Sequence, residues 1–202
     1  SGPGRYSYQD AEDWYHFWWS EGWYGGYGDL VAEGRGTTDA EGRFVVELPA
    51  ELGDRSGPRN WTVEATIVDV NEQRVTGRSA VVVHPAAHYA GIYSERYVGM
   101  AGEEQTANLI VVDLAGKPVS GADVTMVALE AEWFNVQVQD GDATRWEWTL
   151  VETPVYTESV RTGADGKASV GFTPDAGGSY RLRAITQDSA GRINRASTFL
   201  WV

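Results

Sequence analysis

The chain has 202 residues, no cysteine, and 16 basic against 29 acidic side chains, a formal charge of -13. The missing sulfur excludes disulfides, thiolate metal sites, Cys nucleophiles and thioesters within it. The charge argues against a nucleic-acid backbone or an anionic membrane as partner, and no apolar run approaches the ~18 residues of a membrane helix.

The chain opens as a loop, Ser1-Gly2-Pro3-Gly4, and then becomes aromatic. Tyr6, Tyr8, Trp14, Tyr15, Phe17, Trp18, Trp19, Trp23, Tyr24 and Tyr27 all fall in the first 28 residues. Residues 8–20 are the best helix candidate, but so many aromatics suit strands better. Such a stretch can stack on sugar rings or anchor a partner. It can also pack on a sheet face and at a contact between modules. An exposed platform of several Trp would exceed the apolar patch a monomer usually tolerates, so most of Trp14, Trp18, Trp19 and Trp23 are expected to be at least half buried, against the sandwich or at the junction, any left exposed marking the surface that meets the missing strands or a neighbouring domain. Trp133, Phe134, Trp146 and Trp148 hold the corresponding stretch of the second half and favour the packing reading.

Downstream, the apolar period is two. Strands are expected at Phe44 to Leu48 after the turn Asp39-Ala40-Glu41-Gly42, at Trp61 to Val68, and at Arg78 to Val83 after a turn near Asn71-Glu72-Gln73. Further strands are expected near 89–93, 107–112 and 122–128, with turns about every ten residues. This spacing predicts an all-β protein of immunoglobulin- or fibronectin-III-like sandwiches.

The chain also repeats itself. Thr38 to Pro49 parallels Thr162 to Pro174 as turn, strand and Pro-marked loop. At an offset of 119, Trp61 to Asp69 falls on Tyr180 to Asp188, and Ser79 to Val83 on Thr198 to Val202. Trp61 and Tyr180 should therefore be equivalent strand positions, and Asp69 and Asp188 equivalent turn positions. Two domains follow, 1–85 and 86–202, divided at His84-Pro85-Ala86-Ala87. The second should be a complete sandwich of roughly seven strands. The early strands of the second find no counterpart in the first. The first domain is therefore expected to lack its first strands, to show an open edge or uncovered apolar face, and to be the less stable.

Gly178-Ser179-Tyr180-Arg181-Leu182-Arg183-Ala184, Asp188-Ser189-Ala190-Gly191-Arg192 and the terminal Trp201-Val202 follow one another in order. With Tyr89-Ala90-Gly91-Ile92 and Val111 to Val119, this series resembles the macroglobulin-like domains of bacterial alpha-2-macroglobulins. The resemblance implies a non-catalytic scaffold segment of a periplasmic or extracellular protease trap, placed upstream of its bait segment. Neighbouring domains of the same chain, and target proteases of the whole protein, would be the partners. It implies no nucleic acid and no direct membrane insertion. The family's thioester motif is not carried over: the nearest string, Ala101-Gly102-Glu103-Glu104-Gln105, has no Cys and reads as a polar turn. An immunoglobulin-like carbohydrate-binding or adhesin module is the alternative.

No residue is assigned a catalytic, cofactor-binding or metal-ligating role. Glu130 with Glu132, or Glu147 with Glu152, could form a glycosidase pair, but no cleft is apparent and a solvated strand face fits better. Asp69, Asp113, Asp165 and Asp188 fall in or before turns, where Asp accepts from downstream amides. They form no clustered calcium motif. His84 and His88 are four apart, a zinc spacing on a helix that Pro85 prevents.

Overall fold

The computed structural model describes residues 2–3, 15–17, 30–52, 57–141 and 143–202. Among them there is no helix. Ten strands are present: β1 (Gly2–Pro3), β2 (Arg59–Val68), β3 (Arg74–Val83), β4 (His88–Ser94), β5 (Gln105–Asp113), β6 (Asp123–Asp140), β7 (Ala143–Arg161), β8 (Lys167–Phe172), β9 (Ser179–Gln187) and β10 (Ile193–Trp201). The chain divides into two compact units, one of residues 1–6 and 21–85, the other of residues 7–20 and 86–202.

The larger unit is a seven-stranded, two-sheet sandwich. One sheet runs β4-β5-β8 and the other β10-β9-β6-β7, with every neighbouring pair antiparallel. Period two places one side of each strand inward. Ala90, Ile92, Leu109, Val111, Val170 and Phe172 from the first sheet meet Val124, Met126, Ala128, Leu182, Ala184 and Leu200 from the second. Burying an aliphatic side chain contributes roughly 1.5–3 kcal/mol, so this core carries the unit. Tyr180 closes one end, its hydroxyl donating to the Ala176 carbonyl at 2.8 Å.

The outer side of β4 is covered too. His16 exchanges backbone hydrogen bonds with Ile92, at 2.8 and 3.1 Å, and adds residues 15–17 to the sheet edge. Tyr15 packs edge-on to Tyr93 and Phe17 lies over Gly91. A Cβ there would meet Phe17 Cζ at 2.7 Å and Ile110 Cγ2 at 2.9 Å, so this position requires glycine. Tyr15 and Phe17 are thus buried on a sheet face. Trp14, Trp18, Trp19 and Trp23 lie outside the described residues, as does most of the 8–20 helix candidate.

In the smaller unit, β1, β2 and β3 form one sheet. The β2–β3 hairpin reproduces β9–β10 at the offset of 119. Asn60 pairs with Val82 and Trp61 with Val81, as Ser179 pairs with Trp201 and Tyr180 with Leu200. The turns match as well. Asp69 Oδ1 accepts from the amides of Asn71 and Gln73, and Asp188 Oδ1 from those of Ala190 and Arg192. Glu72 and Gly191 share a left-handed φ of 64° and 79°. One face of the hairpin carries Trp61, Val63, Ile67, Val75 and Val81; only Trp61 among these is buried.

The strand expected at Phe44 to Leu48 does not form, although its turn does. Asp39 Oδ1 accepts from the Glu41 and Arg43 amides, and Phe44, Val45 and Val46 are exposed. The equivalent segment of the larger unit is β8, which is a strand because β5 pairs along it. Among the described residues, Phe44 to Leu48 has no such neighbour, and an extended segment without a ladder is not a strand.

Candidate interaction surface

The residues the sequence offered for chemistry do not converge. Glu147 and Glu152 are five apart on β7, so alternation sends them to opposite faces. Glu147 pairs with Arg145 at 3.0 Å. Glu130 and Glu132 share one side of β6 without a facing acid. His84 belongs to the smaller unit and His88 to the larger. Among the described residues no three His, Asp or Glu side chains come together as a metal site would need. Gln105 is buried at the start of β5 and its amide donates to the Glu103 carbonyl, so the 101–105 string is a turn leading into a strand.

Asp188 does more than its counterpart Asp69. Its side chain is buried, and Oδ2 accepts from the Ala87 amide at 2.9 Å and from Arg192 Nε at 2.8 Å. Burial alone would raise this carboxyl. The amides of Ala87, Arg192 and Ala190 and the Arg192 guanidinium outweigh it and hold the pKa down at about 2. Next to it, His88 Nε2 lies 3.1 Å from Thr186 Oγ1. That hydroxyl gives its proton to the Asp123 carbonyl, so Nε2 carries the imidazole proton. Burial lowers the His88 pKa, partly opposed by the Asp188 charge. These groups join the start of β4 to the β9–β10 hairpin; they are structural.

The feature that stands out is an arm. β6 and β7 are 18 and 19 residues long, but β9 pairs with β6 only from Val124 to Glu130. Beyond Glu130 the two strands run on as a two-stranded ribbon to the turn at Gly141. An irregularity between Ala128 and Leu129, with Val155 left over on β7, marks where it leaves the core. At its root Glu152 holds it to β9. Arg183 Nη2 donates to Oε2 at 2.8 Å. Arg181 Nη1 lies 2.7 Å from Oε1, an ion pair poorly aligned for a hydrogen bond. Arg181 also stacks on Phe199, 4.8 Å from the ring centre, and burial lowers its pKa.

Register sorts the arm into two faces. Trp133 opposite Leu150, Asn135 opposite Trp148 and Gln137 opposite Trp146 share the first. Glu132 opposite Val151, Phe134 opposite Thr149, Val136 opposite Glu147 and Val138 opposite Arg145 share the second. Trp133, Trp146 and Trp148 are 59%, 64% and 67% exposed. The expectation that they pack on a sheet face is therefore corrected: the ribbon carries them past the facing sheet, which ends with β8 at Phe172. Sequence reading missed the arm because apolar residues on both faces give no single alternating stripe.

A two-sheet antiparallel sandwich of immunoglobulin type, with its polar groups spent on turns and ties, defines a structural module. The family model for bacterial macroglobulin domain 6 matches residues 91–200, and the chain belongs to the bacterial macroglobulin family. An alpha-2-macroglobulin homolog of Nostoc sp. is 24% identical over 146 residues, which is 72% of this chain and 8% of that protein. The native conformation of Escherichia coli alpha-2-macroglobulin aligns over 82% of this chain and 11% of its own, with TM-score 0.53 and 14% identity. Salmonella alpha-2-macroglobulin reacted with methylamine aligns over 74% and 10%, with TM-score 0.50 and 12% identity. The chain thus spans about a tenth of the length of these relatives.

Proposed function

We propose that the chain is a non-catalytic scaffold segment of a bacterial alpha-2-macroglobulin-like protease trap, lying upstream of the bait segment. The observation that carries the reading is the family match over 91–200 on a complete seven-stranded sandwich. The buried polar side chains Asp188, Thr186, Asn194 and Thr162 serve turns and ties within that sandwich, which suits a part whose work is to hold position. Its partners are neighbouring domains of the same polypeptide and, for the whole protein, proteases. The compartment is periplasmic or extracellular. No helix among the described residues is long and apolar enough to cross a membrane. The smaller unit, domain 1–85 in the sequence reading, is a macroglobulin-like sandwich short of its early strands. Its half-bare β2–β3 face supports this.

The test is functional and uses the full-length protein. Incubated with a panel of endoproteases, it should suppress digestion of a large protein substrate while cleavage of a small peptide substrate by the same enzyme continues. Unchanged digestion of both across the panel would remove the trap reading.

A further inference from the structure

We infer that the distal β6–β7 arm is a docking element that inserts against another module of the same polypeptide, with both of its faces covered there. This rests on reading the chain as one segment of a longer macroglobulin.

Four observations point the same way. First, the arm carries exposed apolar side chains on both sides, beside Asn135 and Gln137 on one and Glu132 and the Arg145–Glu147 pair on the other. Trp133, Trp146, Trp148 and Leu150 lie on one face, with Phe134, Val136, Val138 and Val151 on the other. From their exposure, the three tryptophans alone present about 475 Å² at ~250 Å² per ring system. Phe134, Val136 and Val151 bring the total to about 650 Å², near the roughly 800 Å² per partner of a standard protein interface. Second, beyond Glu130 neither edge of the ribbon has a backbone partner among the described residues. A two-stranded ribbon by itself is marginal in water, and open edges accept further strands. Third, the root is fixed. Glu152 pinned by Arg181 and Arg183 aims the ribbon away from the core, as a docking element requires. Fourth, the matched relatives extend far beyond this segment, which is 8% of one and 11% of another. A polypeptide of their length supplies ample partner surface.

Asn135 and Gln137 lie between the tryptophans, an arrangement that also suits a neutral sugar. A glycan platform would account for the first face only and leave Phe134, Val136 and Val151 bare on the second. A protein groove or sheet edge covers both.

Oxidative footprinting of the full-length protein, native against urea-unfolded, tests this. If the arm stands free, Trp133, Trp146 and Trp148 should label at about 0.6 of their unfolded rate, matching their present exposure of 59–67%. Docked, they should label at about 0.1, as the core of an interface does. A photo-crosslinker in place of Trp148 should then join peptides outside residues 1–202 within one molecule. Labelling near 0.6 overturns the inference. So do cross-links only between two molecules, which would make a second copy the partner. Saturable binding of a soluble neutral polysaccharide that is lost in Trp148→Ser overturns it as well. None of these readouts depends on protease inhibition, so the trap reading and the docked arm can fail separately.

Discussion

Replacing Asp188 with asparagine isolates the charge of the one buried carboxylate that ties β4 to the β9–β10 turn. Asn keeps an oxygen for the amides of Ala190 and Arg192, but turns an NH2 toward the Ala87 amide and Arg192 Nε, two donors. The folded pKa of about 2 lies below the ordinary 3.8, so the unfolded chain binds more protons between these values. The carboxylate's stabilisation is therefore complete above about pH 4 and is lost as pH falls through about 2. At 1.36 kcal/mol per pKa unit the shift corresponds to about 2 kcal/mol. An unsatisfied Ala87 amide adds part of the 1–3 kcal/mol such a group costs, giving about 2–4 kcal/mol at pH 7. Urea unfolding followed through the methyl signals of Leu182 and Leu200 reports the larger unit alone. The gap between parent and Asp188→Asn should narrow between pH 4 and pH 2. A gap below about 1 kcal/mol at pH 7, or one as wide at pH 2 as at pH 7, would refute the reasoning.

Asp69→Asn is the matched control: its turn has the same amide bonds but is exposed, and the stability of the smaller unit, followed in urea through the methyl signals of Val63 and Val81, should change by no more than about 0.5 kcal/mol. Gly91→Ala should cost about 1–3 kcal/mol through the clash with Phe17 and Ile110, and hydrogen exchange should show residues 15–17 released from β4. Asn194→Ala should cost about 1–3 kcal/mol in thermal unfolding, because its Oδ1 satisfies the buried Ala90 amide at 2.9 Å. Glu152→Ala should cost about 3 kcal/mol by leaving Arg181 and Arg183 facing each other, with exchange in the arm rising before that of the core.

What could be read from the sequence was what is local. Strands β2, β3, β9 and β10 show clean alternation, and the turns between them carry Asp followed four residues on by the amide that closes the loop. Their common register could be stated in advance because a two-residue period and a fixed turn length leave one solution. Phe44 to Leu48 is as rich in strand-forming residues, yet strand formation depends on a distant neighbour that no local pattern records. Asp69 and Asp188 sit in near-identical strings. Only Arg192, where the first turn has Gln73, hinted that one carboxylate would be buried and paired. Tyr15 and Phe17 were correctly read as packing on a sheet face. Trp133, Trp146 and Trp148 were read as packing on a sheet face by analogy with that stretch. The length of the arm is what defeated the analogy, and length came from pairing between β6 and β7 and not from composition.

The ties at the start of β4 have a mechanical consequence. β4 and β10 belong to different sheets, so no backbone ladder joins them. Tension on the peptide leading into β4 passes to its own sheet through the β4–β5 ladder and to the other sheet through side chains, at Ala87 to Asp188, at His88 to Thr186 and at Ala90 to Asn194. Three ties within four residues are loaded together in shear and do not peel one after another. A pull at this point therefore loads both sheets of the sandwich at once. Acid near pH 2 slackens the first tie by protonating Asp188.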